Sequence, residues 1–490
     1  MEFDVAPNRD TANASHTGPV GRPRIVIIGG GFSGSMLAVE LVRRAAAKVS
    51  VVLIERKTVP GRGVAYGTQF EGHLLNVRAK NMSAYGDVPD HFVKWAQRNY
   101  SASVKPDDFL PRPTYGQYIS SQLREATRGR AADFRCIQNE AVALAHAGNR
   151  LLIRLADGNT VIAEKVVLAL GNFPPADLQI PGKTSTGSRY VANPWSGDAL
   201  ASMTQDEKVL LIGSGLTSVD VILELRARGF EGTIHLLSRR GLLPQRHAAV
   251  PFPPFPIENM PRTARGLLRL IRVQIKKAEQ RGSNWRAVVD SLRPVSQQIW
   301  RLLPQVEQRR FLRHLRTYWD VHRHRIADRI SDQLALQMRG GQIQIHAGRI
   351  TEYLETPGGV DITYRLRKTG DLAKLRVDRV VNCTGPEGDC RRVGSPVLSD
   401  LMEKQLARPD ELKLGLDVAD DGAVLDSQGS PSSCLYALGP LRKGKLWESI
   451  AVPELRVQVA ALARLLVGGI QSETHTSIPT ANVMLTSVQP

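Results

Sequence analysis

A short apolar strand that runs into a glycine turn and then into a helix constrains a fold strongly, and this chain carries that pattern twice. The first copy is Arg24-Ile-Val-Ile-Ile28 followed by Gly29-Gly30-Gly31-Phe32-Ser33-Gly34. An amphipathic stretch from Ser35 to Ala47 comes next, then a second apolar run ending on Glu55, 21 residues after Gly34. Gly29 permits a tight turn, Gly31 lets a pyrophosphate approach the backbone, and Gly34 lets helix and strand pack closely. The free N–H groups at the helix start, where Phe32 and Ser33 lie, favour a phosphate. Glu55, followed by Arg56, can accept hydrogen bonds from ribose hydroxyls. The pattern predicts a dinucleotide-binding unit.

The second copy is Lys208-Val-Leu-Leu-Ile212 followed by Gly213-Ser214-Gly215-Leu216-Thr217-Ser218. Ser218 stands where the third glycine would be, and its small side chain still permits fairly close packing. The following strand, Thr233 to Leu237, ends in Ser238-Arg239-Arg240 instead of an acid. A carboxylate there would repel a 2′-phosphate, whereas guanidinium groups can grip one in bidentate fashion. This site is expected to prefer NADPH. Two fingerprints imply two dinucleotides, with FAD in the first and the nicotinamide cofactor in the second.

Further apolar runs at 51–54, 165–170 and 377–382 alternate with amphipathic stretches, which predicts an α/β protein with two Rossmann-like domains. The expected organisation is a disordered tail over 1–22, an FAD-binding domain over 23–200 and 391–470, an NADPH-binding domain over 201–390, and a second tail over 471–490. Residues 260–335 read as helices broken near Pro294 and Pro304, inserted in the second domain. There Leu312, Leu315, Trp319, His322 and Ile326 recur at helical spacing and are expected to share one face. The four cysteines, Cys136, Cys383, Cys390 and Cys434, form no C-x-x-C pair and no zinc spacing, so a disulfide reductase and a metal site are disfavoured. The polar N-terminus and the lack of a long apolar run point to the cytoplasm.

Beyond the two turns, the chain resembles a bacterial FAD-NAD(P)-binding family of two-domain flavoproteins. The segments that carry the resemblance include 61–67, 73–76, 82–83, 109–116, 213–220, 238–244, 318–325, 439–442 and 453–455. More distantly the layout is similar to the N-hydroxylating and Baeyer–Villiger flavin monooxygenases. The stretch that carries a histidine in those enzymes reads Tyr190-Val-Ala-Asn-Pro-Trp195 here. The resemblance implies that Gly171 and the pair Thr384-Gly385 sit where the chain crosses between domains. It places Gly439 and Pro440 at a late FAD motif. It also implies that Trp447 to Ile450 begins a helix whose N–H groups face the flavin ring, with Glu448 and Ser449 near it. His73, Asn76, Met82 and Ser83 are expected to line the ring, with His73 and Asn76 as weak catalytic candidates.

The cofactor carries the redox chemistry in such a protein. The expected activity is an FAD- and NADPH-dependent oxidoreductase, a monooxygenase of a small polar substrate. Two alternatives stay open: a reductase or dehydrogenase passing electrons to a protein or quinone, and a binding protein for nucleic acid or a membrane surface. The formal net charge of +18 bears on this choice. Residues 262–329 hold 17 Lys and Arg against 5 Asp and Glu, so 17 − 5 = +12 of the excess lies in the helical region. Arg309, Arg313, Arg316 and Arg323 are expected to form a basic stripe facing an anionic substrate or partner.

Overall fold

The computed structural model describes residues 22–45, 49–128, 133–183, 187–197, 199–248, 253, 256 and 260–475. The tails expected at 1–22 and 471–490 lie largely outside the described residues, which begin at 22 and end at 475. Each fingerprint strand stands inside its own sheet. The first sheet has six strands and is mostly parallel, with Arg24–Ile28 between Ser50–Glu55 and Lys165–Leu168. Beyond these lie Asp133–Gln138 on one side and, on the other, the late strand Pro431–Ala437, with Ala423–Leu425 antiparallel to it at the edge. Chain separated by some 270 residues is thus joined at one sheet, which is why this unit is discontinuous.

The second sheet places Val209–Ile212 between Ile234–Ser238 and Arg379–Asn382, all parallel. An antiparallel set, Ile343–Thr356, Gly359–Leu366 and Leu372–Val377, extends it. The central strands are buried on both faces, which explains their unbroken Val, Ile and Leu runs. Helix Phe32–Ala45 packs with Val452, Leu455, Val459 and Leu462 of the last helix in one core. That helix, Val452–His475, runs five residues into the segment expected to be a tail.

Between Ala264 and Arg323 five α-helices form the insert: Ala264–Gln280, Trp285–Leu292, Ser296–Leu302, Gln305–His314 and Arg316–Arg323. The next helix, Asp328–Arg339, belongs to the second nucleotide layer, because Ile330 and Leu334, one turn apart, sit in the core with Leu236 and Ile343. The insert therefore ends before 328, not at 335. The single face expected from Leu312 to Ile326 is split. Leu315 separates two helices, Leu312 and Trp319 pack around Trp300 and Trp447, and Ile326 packs in the sheet core.

The expected basic stripe is also divided, because acids on its own helix and elsewhere pair with three of its four members. Arg309 pairs with Glu411 at 3.5 Å, Arg316 with Asp320 at 3.5 Å, and Arg323 with Glu448 at 3.4 Å. Among the described residues no helix is long and apolar enough to cross a membrane.

Candidate functional site

At the first turn Gly29 has φ +104°, and a Cβ there would lie 2.5 Å from the Ala169 carbonyl oxygen on the neighbouring strand end. A Cβ on Gly34 would lie 1.9 Å from the Gly29 oxygen. Both positions therefore exclude a side chain. The Gly30 N–H donates to Glu55 Oε2 at 2.6 Å, and the Lys57 N–H donates to Glu55 Oε1 at 2.8 Å. Glu55 thus holds the turn at the point where a ribose would meet it. Arg56 is at the rim, 3.7 Å from Glu140. A Cβ on Gly31 would meet nothing closer than the Gly63 Cα, at 3.7 Å.

Gly439 closes the opposite wall. A Cβ on it would lie 3.0 Å from Ser33 Oγ, and its N–H donates to Gln458 Oε1 at 3.4 Å. Pro440 follows, half-buried, in a short 3-10 turn. Among the described residues three buried polar atoms here have no hydrogen-bond partner: Gln458 Nε2, Ser449 Oγ and Tyr115 OH. Buried polar groups are ordinarily satisfied, so orphans beside a glycine-lined wall fit a polar group that arrives with a ligand. Met82 and Ser83 are buried. Ser83 Oγ donates to the Val88 carbonyl at 2.6 Å, and Arg456 of the last helix donates to the Ser83 carbonyl at 3.0 Å.

His73 is fully buried. Its Nε2 lies 3.1 Å from the Asp220 carbonyl and so must donate, which leaves Nδ1 to accept from the Thr68 hydroxyl at 2.9 Å. Burial pushes its pKa down, offset in part by Asp220. A neutral imidazole with both nitrogens engaged positions the two nucleotide units. Asn76 lies nearby, its carbonyl accepting from His247 Nε2 at 3.1 Å.

The second turn reproduces the first. Gly213 has φ +117°, and a Cβ there would lie 2.4 Å from the Cys383 carbonyl, the counterpart of Ala169. Ser218, in the place of the third glycine, donates to the Gly213 carbonyl at 2.9 Å. Gly215 is exposed at the helix start, with Leu216 and Thr217 half-buried behind it. Gly171 and Gly385 both have positive φ at the two strand exits, and Thr384 Oγ1 donates to Asn382 Oδ1 at 2.7 Å.

Beyond the next strand, Ser238 Oγ accepts from the Gly241 N–H at 3.0 Å and lies 2.8 Å from Ser214 Oγ. The two arginines differ. Arg239 is exposed, whereas Arg240 donates to Tyr318 OH at 2.9 Å and lies over the Tyr318 ring. Arg240 ties the insert to the nucleotide unit.

The helix expected at 447 begins instead at Val452. Trp447, at φ +60°, ends a short helical turn and stacks on Trp300 with ring centroids 5.0 Å apart. Glu448 is buried and faces the insert. Its Oε1 accepts from Trp319 Nε1 at 2.9 Å, and its backbone carbonyl accepts from the Gln297 side chain. Sequence reasoning placed Trp319 on an apolar helical face without a polar partner, and assigned no role to Gln297 or Arg112. The segment 109–116 contained Arg112, but nothing local in it names its partner, Asp220.

Residues 26–173 match the family model described as FAD-NAD(P)-binding. No curated protein matches the chain by sequence. Among solved structures, L-lysine 6-monooxygenase from Pseudomonas syringae is 16% identical with a TM-score of 0.62, covering 92% of this chain and 99% of its own. The FAD-bound cadaverine monooxygenase of Erwinia amylovora is 13% identical with a TM-score of 0.62, covering 96% and 100%. A bacillithiol disulfide reductase from Bacillus cereus is 15% identical with a TM-score of 0.52, covering 92% and 100%. The fold is that of two-domain FAD/NAD(P)-binding flavoproteins.

Proposed function

We propose that this chain is a cytoplasmic FAD-dependent oxidoreductase that takes hydride from NADPH and uses oxygen to hydroxylate a small polar molecule. The observation that carries the reading is the repeated turn: two glycine walls of one geometry, on two sheets held together by Arg112 and Asp220. The FAD unit comprises about 23–173 and 391–470 and the NADPH unit about 174–390, not 23–200 and 201–390, because Tyr190–Val191 pairs with Arg379–Asn382 in the second sheet and Leu178 and Ile180 pack in its core. Gly31 offers bare backbone to a pyrophosphate and Gly439 to its linker, Gly29 and Gly34 close the turn that presents them, the Ser33 N–H lies at the helix start, and Glu55 addresses the ribose. Met82, Ser83, Ser449 and Gln458 bound the deeper end. When bound, FAD supplies hydride acceptance and oxygen activation. The protein's own part is to fix the two sites relative to each other and to exclude water.

At the second turn Gly213, Gly215, Leu216, Thr217 and Ser218 offer the same phosphate cradle. Arg239 and Ser238 are assigned to the 2′-phosphate, because the guanidinium of Arg240 is already engaged by Tyr318. A disulfide reductase is disfavoured by the cysteines. All four are free, and burial pushes Cys383 and Cys390 up to about 12 and Cys136 up to about 11. The neighbours named for lysine and cadaverine make primary amines the first molecules to test. The assay is aerobic NADPH consumption against hydroxylated product. Stoichiometric product supports the reading. NADPH oxidation that yields only reduced acceptor supports electron delivery to a partner instead.

A further inference from the structure

We propose that the helix Ala264–Gln280 docks this protein on membrane surfaces rich in acidic phospholipids. Arg265, Arg269, Arg272 and Lys276 follow one another at spacings of four, three and four. At 100° per residue they fall in an arc of about 60° and form a row about 16 Å long. Arg262, just before the helix, and Lys277 flank the row, and all six side chains are exposed. No carboxylate among the described residues pairs with any of the six, in contrast to Arg309, Arg316 and Arg323. The opposite face of the helix holds it to the body through Leu267 and Ala278. The cations are therefore presented outward on a rigid support.

Charge complementarity asks for an anionic partner, and the aliphatic side chain beside the row says which kind. Val273 lies between Arg269 and Lys277 on the wheel and is 44% exposed. At the other end Val306, 56% exposed, adjoins Glu307, whose carboxylate accepts from the Ala264 N–H at 2.9 Å. Aliphatic groups beside a straight row of cations suit the boundary between headgroups and acyl chains. They add little against a nucleic-acid backbone, and no aromatic side chain lies in the row to stack on a base. Each basic residue brought to an anionic bilayer strengthens binding about fivefold. The phospholipid headgroup is the ligand, and docking is peripheral.

The test is co-sedimentation of the FAD-loaded full chain with phosphatidylglycerol–phosphatidylcholine vesicles and with phosphatidylcholine alone. Binding is expected only to the anionic vesicles, and it should weaken as salt is added. The triple change Arg265→Glu, Arg269→Glu, Arg272→Glu should weaken it at least about a hundredfold. A control triple, Arg349→Glu, Lys368→Glu, Lys374→Glu, makes the same change of net charge on another exposed face and should leave most binding intact. Milder Gln changes at 265, 269 and 272 repeat the test should the Glu triple misfold. Absence of binding to anionic vesicles overturns the proposal, as does equal loss in the control triple. Tighter binding to duplex DNA than to the vesicles, lost in the same triple, overturns it in favour of nucleic acid.

Discussion

Arg112 grips Asp220 with both arms of its guanidinium, at 2.7 and 3.0 Å, and so joins the helix that opens at Arg112 to the helix of the second glycine turn. The side chains are only 14% and 9% exposed. The His73 ring donates to the Asp220 backbone carbonyl beside them. The two nucleotide units therefore meet through a buried polar latch.

Removing one side of that latch strands the other. Arg112→Ala should destabilise the protein by about 3 kcal/mol, because the Asp220 carboxylate stays buried without its cation. Asp220→Asn should cost less, since the amide oxygen keeps one of the two acceptors for the Arg112 guanidinium, although it leaves that cation without a counter-charge. Thermal unfolding of the two variants checks the order. Equal melting temperatures for wild type and Arg112→Ala would show that the latch contributes nothing.

Acid should weaken the fold through its buried histidines. Burial lowers the pKa of His73, and it lowers His247 and His324 to about 4. The unfolded chain binds protons near pH 6.5 that the folded chain refuses. For His247 and His324 the neutral form's full contribution is thus present above about 6.5 and is lost as the pH falls toward about 4, by about 1.4 kcal/mol per unit for each of these two. Denaturant midpoints measured across that window should fall, and His247→Gln should make the fall shallower. A flat profile would contradict the burial argument.

Arg239 and Arg240 should separate in their effects. Arg239→Ala should cut the preference for NADPH over NADH about tenfold or more, the loss of a hydrogen bond to a charged group. Arg240→Ala should leave that preference largely unchanged and loosen the contact with Tyr318, read as a lower melting temperature. Ratios of kcat/KM for the two cofactors decide it, and the reverse pattern would reassign the phosphate to Arg240.

Glu55→Gln should weaken FAD binding about tenfold, because the bond from the Gly30 N–H loses its charged acceptor. Flavin retained after gel filtration measures this. Retention equal to wild type would remove Glu55 from the site.

The two turns, their strands and the α/β class were legible because they rest on local spacing. Gly29 and Gly34 are five residues apart, and their reason for being glycine lies in that turn. The contacts that assemble the site are distant in sequence. Arg112 and Asp220 are 108 positions apart, and Trp319 and Glu448 are 129 apart. No local pattern encodes such pairs. The same holds for the charge. Composition located the excess in the helical region, but the pairing of Arg309 with Glu411 and of Arg323 with Glu448 moved the free cations to the helix Ala264–Gln280. The last helix starts at Val452 and not at 447, where Trp447 has a positive φ and its ring stacks on Trp300.

The most direct test of the account is anaerobic reduction of the FAD-loaded chain, followed by the flavin's visible absorbance, with NADPH and with NADH in parallel. One FAD per chain is expected, with rapid bleaching by NADPH and much slower bleaching by NADH, the difference being lost in Arg239→Ala. A chain that retains no FAD, or whose FAD is not reduced by NADPH, would contradict it.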